Sequence, residues 1–277
     1  MISRIKAVWE LLRLEHGFMY GVGVIVGMIV SGCPDLKDGI LGFLTALFCQ
    51  ASSFALNDYV DYEVDLANER FDRPLVRGDL KRFHALLLTL VLSPFGFLFA
   101  YMISLEAFVF ALAITVLGYI YDLKLKETGI LGNVYIAFTM CAPFLFGGII
   151  SCGVNVQIAV LSFLAFLSGL GREVMKGIED VEGDSLRNVR SVARVKGIEF
   201  AYKLSALLIL LAVAFSPIPL VHYGVDVFYI VPVALADILF LLTVFKLLKF
   251  GNVRELRKVT LLAMLFGLLG FLLGAIF

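Results

Sequence analysis

The sequence predicts an all-α membrane protein of nine transmembrane helices, with the N-terminus inside and the C-terminus outside. Three observations carry that prediction. Of its 277 residues, 61% are hydrophobic and only 17% charged, and the mean hydropathy is +0.96; soluble domains average about 45–50% apolar and about 25% charged. The apolar residues fall in nine runs near the length of about 17–25 residues that crosses a bilayer as a helix. The cations are confined to alternate connections between those runs. Lys and Arg total 23, as do Asp and Glu, so no net field points to nucleic acid or an acidic partner.

In chain order, residues 2–14 read as an interfacial helix. Ile5, Val8, Trp9 and Leu12 share one face, and Arg4, Lys6, Glu10 and Arg13 lie mostly elsewhere. Arg13, Glu15 and His16 interrupt any early apolar core, so the sequence predicts an uncleaved membrane protein with no signal peptide. The spans are expected at 14–33, 39–57, 84–104, 106–121, 130–152, 156–171, 200–221, 225–245 and 258–277. The N-terminal segment and the connections after spans two, four, six and eight hold 21 of the 23 cations; the exceptions are Lys37 and Lys203. The positive-inside rule then places those segments in the cytoplasm, and an even number of spans would spoil the alternation.

Cys33, Cys49, Cys141 and Cys152 lack the paired spacing of a zinc or redox motif. Cys33 and Cys152 both fall near the outer ends of spans, which leaves a disulfide open, but free cysteines in apolar surroundings are the commoner case. No low-complexity segment divides the chain, and residues 1–277 read as a single polytopic domain.

The chemistry concentrates in two Asp-rich cytoplasmic segments, 58–83 and 172–199. On a helix continuing from span two, Asn57, Asp61 and Asp65 step by four and line one face, with Asp58 three residues before Asp61. After span six, Glu173, Asp180 and Asp184 are spaced by seven and four, again on one face. Four spans separate the two clusters, so both leave the membrane on the same side, consistent with an internal four-span repeat.

Stacked carboxylates repel by about 4 kcal/mol at 4 Å and an effective dielectric of 20, and a hard divalent cation relieves that repulsion. Mg²⁺ takes one or two carboxylates, keeps waters and completes its shell with substrate phosphate oxygens. Two carboxylate helices facing one another across a cavity open to the cytoplasm are therefore expected to cradle a Mg²⁺-bound diphosphate.

These residues resemble the UbiA superfamily of intramembrane prenyltransferases, and the nine-helix plan extends the resemblance over nearly the whole chain. The family's Asn-x-x-x-Asp-x-x-x-Asp stands here as Asn57, Asp61 and Asp65, followed by Asn68 and by Arg73-Pro74 before Gly78; its Asp-x-x-x-Asp stands as Asp180 and Asp184. Arg172-Glu173-Val174, with Lys176 leading into Glu179-Asp180, is most similar to the branch that builds archaeal ether lipids. Two departures are visible. The family's tyrosine–lysine motif becomes Tyr121-Asp122-Leu123-Lys124-Leu125-Lys126, leaving open which of Lys124 and Lys126 reaches diphosphate. Arg77 stands where many relatives have a small residue, serving either a phosphorylated acceptor or the positive-inside bias.

The resemblance implies that Asp61, Asp65, Asp180 and Asp184 hold Mg²⁺. It implies that Asn57, Asp58, Arg73, Arg77, Tyr121, Lys124, Lys126, Glu173, Lys176 and His16 bind substrate. The implied donor is geranylgeranyl diphosphate and the implied acceptor the hydroxyl of geranylgeranylglyceryl phosphate, in the bilayer and without an obligatory protein partner. Prenylation of an aromatic, quinone-type acceptor is the alternative within the family. A cation transporter is disfavoured because coupling carboxylates usually lie at the midplane, where only Asp237 is found. A charge at that depth calls for a function or a polar partner.

Overall fold

The computed structural model describes residues 2–181, 189–223 and 226–277. Their order is α1 (Ile2–Leu12), α2 (Leu14–Ser31), α3 (Leu36–Ala67), α4 (Arg82–Ile103), α5 (Leu105–Leu123), a 3₁₀ turn (Leu125–Thr128), α6 (Ile130–Ile149), α7 (Val156–Glu179), α8 (Val192–Lys196), α9 (Ile198–Phe215), α10 (Leu220–Tyr223), α11 (Val227–Phe250) and α12 (Val253–Ile276). Among the described residues nine helices are long and apolar enough to cross a membrane: α2 to α7, α9, α11 and α12. The protein is a multi-pass membrane protein, and exposed apolar residues such as Leu90, Phe95, Leu241 and Leu262 are its natural lipid contacts.

Helix α1 forms, and Leu12 of its apolar face packs with Ala51 and Ala55. Ala7 and Leu11 pack on Leu75, Leu80 and Ala85, while Ile5 and Trp9 are exposed. The connection between α3 and α4 claims the Ala7/Leu11 side and is tied to α1 by an Arg77–Glu10 ion pair of 2.5 Å. Arg13, at φ 44°, turns the chain sharply into α2, a left-handed conformation uncommon for a non-glycine residue.

Helix α3 runs on to Ala67, where the apolar run alone ended at 57. Its 32 residues span about 48 Å at 1.5 Å per residue. That exceeds a hydrocarbon core of about 30 Å, so the last turns, bearing Asn57 to Asp65, project from the apolar region. Helix α9 stops at Phe215, short of the expected 221, where Pro217 and Pro219 remove backbone donors.

Two glycines set the crossing of α2 and α6. A Cβ on Gly27 would lie 2.5 Å from the Phe144 carbonyl oxygen, and one on Gly147 would lie 2.2 Å from that of Val24. Small residues allow such backbone approach between membrane helices. Gly147→Val is therefore expected to abolish the folded protein, measured as loss of the monodisperse peak in detergent gel filtration; a normal peak with unchanged melting would contradict this crossing.

At the end of the bundle away from the Asp-rich segments, Cys33 and Cys152 form a disulfide with a Cα–Cα distance of 5.5 Å. Ser151 Oγ donates to the Cys33 carbonyl at 2.6 Å beside it. Free thiols were the commoner expectation from sequence; the α2–α6 contact, invisible in the spacing, brings the two connections together. Cys49 and Cys141 are free. Asp237 on α11 finds the polar partner the sequence left unnamed: Ser216 Oγ donates to its Oδ2 at 2.7 Å.

Candidate functional site

The N-terminal end of α2, the C-terminal ends of α3, α5 and α7, and the start of α6 meet at one end of the bundle. Two cavities open there. The first, of 480 Å³, runs into the apolar interior between Val24, Phe110, Ile114, Met140 and Phe146, with Arg13, His16, Arg73 and Asp122 nearer its polar end. The second, of 740 Å³, is polar and lined by Asp61, Asn68, Lys126, Asn133, Glu173 and Asp180. Asn57, Tyr121 and Lys176 line both. An apolar pocket thus joins a charged one, a shape suited to a molecule with a hydrocarbon tail and an anionic head.

The expected helical face on α3 is present, but its members differ in what they touch. Asn57 Nδ2 donates to Asp61 Oδ2 at 3.2 Å and to Asp122 Oδ1 at 2.9 Å. Asp61 also forms an ion pair with Lys126. Asp65 is buried, with Arg73 Nε 3.7 Å from its carboxylate, and is not among the cavity-lining residues. Asp58 is 2% exposed and accepts from Arg13 Nη2 at 2.8 Å and Arg73 Nη1 at 3.1 Å. It serves as the counter-ion that fixes both guanidiniums, and Phe54 flanks Arg13 at 4.4 Å. Asp58→Asn leaves two partly buried cations short of charge and is expected to cost about 3 kcal/mol, read as a lower unfolding midpoint in detergent.

The remaining expected residues separate clearly. Lys126 lines the polar cavity, whereas Lys124 is exposed and lines neither. Arg77 is held by Glu10 and by Asp79 at 2.7 Å and anchors α1 instead of lining a cavity. Nearby, the two-pronged Arg70 contact, both hydrogen bonds at 2.8 Å, holds the Asp72 carboxyl below the usual carboxylate range. Glu173 is buried, 3.4 Å from Arg172 Nη1 and 4.0 Å from Lys176 Nζ. Tyr121 stacks on Tyr135 with ring centroids 4.9 Å apart. His16 lies at the apolar cavity's mouth against the Phe54 ring. Asp180 caps α7 and faces the polar cavity; Asp184 lies outside the described residues.

Four residues of the site were not singled out from sequence. Arg13 figured only as a cation of the N-terminal segment that interrupts its apolar run, and Asp122 only as a spacer in the Tyr–Lys segment. Tyr20, whose hydroxyl donates to Thr139 Oγ1 at 3.3 Å, and Asn133 carried no motif. The buried Nδ2 of Asn133 has no hydrogen-bond partner among the described residues, a donor left over in a cavity lined by two lysines.

The donor chemistry of the polar cavity fits Mg²⁺: Asp61, Glu173 and Asp180 offer hard carboxylate oxygens. Among the described residues no three His, Cys, Asp or Glu side chains converge into a complete cage.

Comparison with known proteins supplies a separate line of evidence. The profile of the UbiA prenyltransferase family matches residues 20–269. The chain is 58% identical to a digeranylgeranylglyceryl phosphate synthase of Archaeoglobus fulgidus, covering 98% of this chain and 96% of that protein. It is 33% identical to the Methanocaldococcus jannaschii protein of the same name, covering 99% and 98%. A solved structure of a digeranylgeranylglyceryl phosphate synthase superposes with a TM-score of 0.85 at 30% identity, covering 99% of each chain. A UbiA homologue of Archaeoglobus fulgidus bound to GPP and Mg²⁺ shares the fold, with a TM-score of 0.72 at 21% identity and coverage of 96% and 98%.

Proposed function

The chain belongs to the UbiA prenyltransferase family, and from that premise we propose that it moves a geranylgeranyl group from geranylgeranyl diphosphate to the hydroxyl of geranylgeranylglyceryl phosphate. The product is the second ether bond of an archaeal membrane lipid, and the reaction depends on Mg²⁺. The observation that carries the reading is the junction of an apolar and a charged cavity at Asn57, Tyr121 and Lys176. The names of the relatives that match the full length support the choice of substrates.

In this reading the tail of the donor lies between Phe110, Ile114 and Phe146, and its diphosphate sits in the polar cavity. Asp61 and Asp180 are the described residues that would hold Mg²⁺, with Asp184 completing the second motif and Asp65 one turn beyond Asp61. When bound, the ion supplies positive charge that makes diphosphate a better leaving group. Lys126 and Lys176 bind the diphosphate oxygens and stabilise the charge that grows on them as the allylic C–O bond breaks. Asn57 orients Asp61, and Tyr121 with the apolar walls excludes water from the allylic cation. The distribution of Lys and Arg supports an active site facing the cytoplasm.

The test uses purified protein in detergent with radiolabelled geranylgeranyl diphosphate, Mg²⁺ or EDTA, and two acceptors, geranylgeranylglyceryl phosphate and 4-hydroxybenzoate. Metal-dependent label in the diether phosphate is expected. Label in the aromatic product alone would move the protein to another branch of the family.

A further inference from the structure

Forming an ether from an alcohol releases the hydroxyl proton, and the proton needs an acceptor where the oxygen meets the allylic carbon. Several carboxylates stand near the junction of the cavities, and most already face a cation. Asp58 is fixed by Arg13 and Arg73, Asp61 by Lys126, and Glu173 by Arg172 and Lys176.

Asp122 differs. It lies on the last turn of α5, is 5% exposed, and lines the apolar cavity beside Gly118 and Tyr121. Among the described residues it has no ion-pair partner; Lys126 and Arg13 act on it through their field without contact. Its Oδ1 accepts from Asn57 Nδ2 at 2.9 Å, and the same amide nitrogen reaches Asp61. Its Oδ2 accepts no hydrogen bond among the described residues. One carboxylate oxygen is therefore held and the other is free, one residue away from the group assigned to the diphosphate side.

We propose that Asp122 is the proton acceptor of the ether-forming step, an inference that rests on the geranylgeranyl-transfer reading above. The donor C1–O bond breaks and its electron pair leaves on diphosphate. A lone pair of the acceptor oxygen forms the new C–O bond to C1. The O–H bond breaks, its electrons stay on that oxygen, and the proton passes to Asp122 Oδ2.

The experiment compares wild type, Asp122→Asn and Asp122→Glu, using geranylgeranyl diphosphate carrying ¹⁸O at the bridging position and geranylgeranylglyceryl phosphate as acceptor. The amide of Asp122→Asn still offers an oxygen to Asn57, so the fold is kept, as checked by gel filtration. Transfer by Asp122→Asn is expected to fall by about 10²–10⁴-fold, the usual range for a lost general base. Migration of ¹⁸O to non-bridging positions per product formed should rise, because ionisation continues while capture stalls. Asp122→Glu should regain part of the transfer. Asp122→Asn transferring within about threefold of wild type would overturn the assignment, since a lost base costs far more. Loss of isotope migration together with transfer would also overturn it, pointing to a role in donor binding. A wild type that makes no diether at all, with either result for the variants, would remove the underlying transfer reading instead.

Discussion

Asp61→Asn is expected to lower geranylgeranyl transfer by at least about 10²–10³-fold, the cost of removing one preorganised charge-stabilising group, while the protein remains folded. The asymmetry follows from position. Asp61 is 25% exposed at its side chain, beyond the apolar part of α3, and its neighbours Asn57 and Lys126 keep access to water in the polar cavity. An amide of the same size therefore disturbs packing little and removes a carboxylate from the candidate metal site. Asp180→Asn, on the facing end of α7, should show a loss of the same order. Retention of most activity in both variants at saturating Mg²⁺ would contradict the assignment of these carboxylates.

Ala111→Trp is expected to divide donors by length. Ala111 is 7% exposed, packs with Val24 and Phe146 and lines the deep apolar cavity. An indole there occupies space assigned to the far isoprene units. Binding energy from the remote tail supports catalysis at the reacting carbon, so geranylgeranyl transfer should fall by about tenfold or more. Transfer from dimethylallyl diphosphate, which does not reach that depth, should change little. Overpacking costs about 1–3 kcal/mol, so the melting temperature is measured alongside. Equal losses with both donors, in a protein that melts normally, would place the tail elsewhere.

Much of this architecture is legible in the sequence because bilayers impose a coarse rule. A run such as 84–104 can only be a span, and the charge alternation fixes the count. The Asn57–Asp61–Asp65 face of α3 is legible for a related reason: a period of four on a helix leaving the membrane has few structural uses. What escaped depends on pairs far apart in the chain. The Cys33–Cys152 bond, open from the cysteines' place at the outer ends of spans, is decided by the Gly27–Gly147 crossing. The burial of Ala7 and Leu11 of α1 follows from where Leu75 and Leu80 land, which periodicity within α1 cannot tell. Asp58 reads as a substrate-binding residue beside Asp61, while its pairing with Arg13, 45 positions away, is visible only in the fold. Asp122 was hidden by its motif, since the flanking tyrosine and lysines draw attention first. Lys124 and Lys126 are equivalent in sequence and are separated only by the 3₁₀ turn, which carries Lys126 back over Asp61.

In the proposed reaction one substrate bridges the two cavities. A structure of the full chain with Mg²⁺ and a thio-linked, slowly cleaved geranylgeranyl diphosphate analogue would show it. The diphosphate is expected among Asp61, Lys126, Lys176 and Asp180, the first isoprene unit passing Asn57 and Tyr121, and the tail ending against Phe110 and Phe146. A diphosphate held instead by Arg13 and Arg73, or a tail lying outside the apolar cavity, would contradict it.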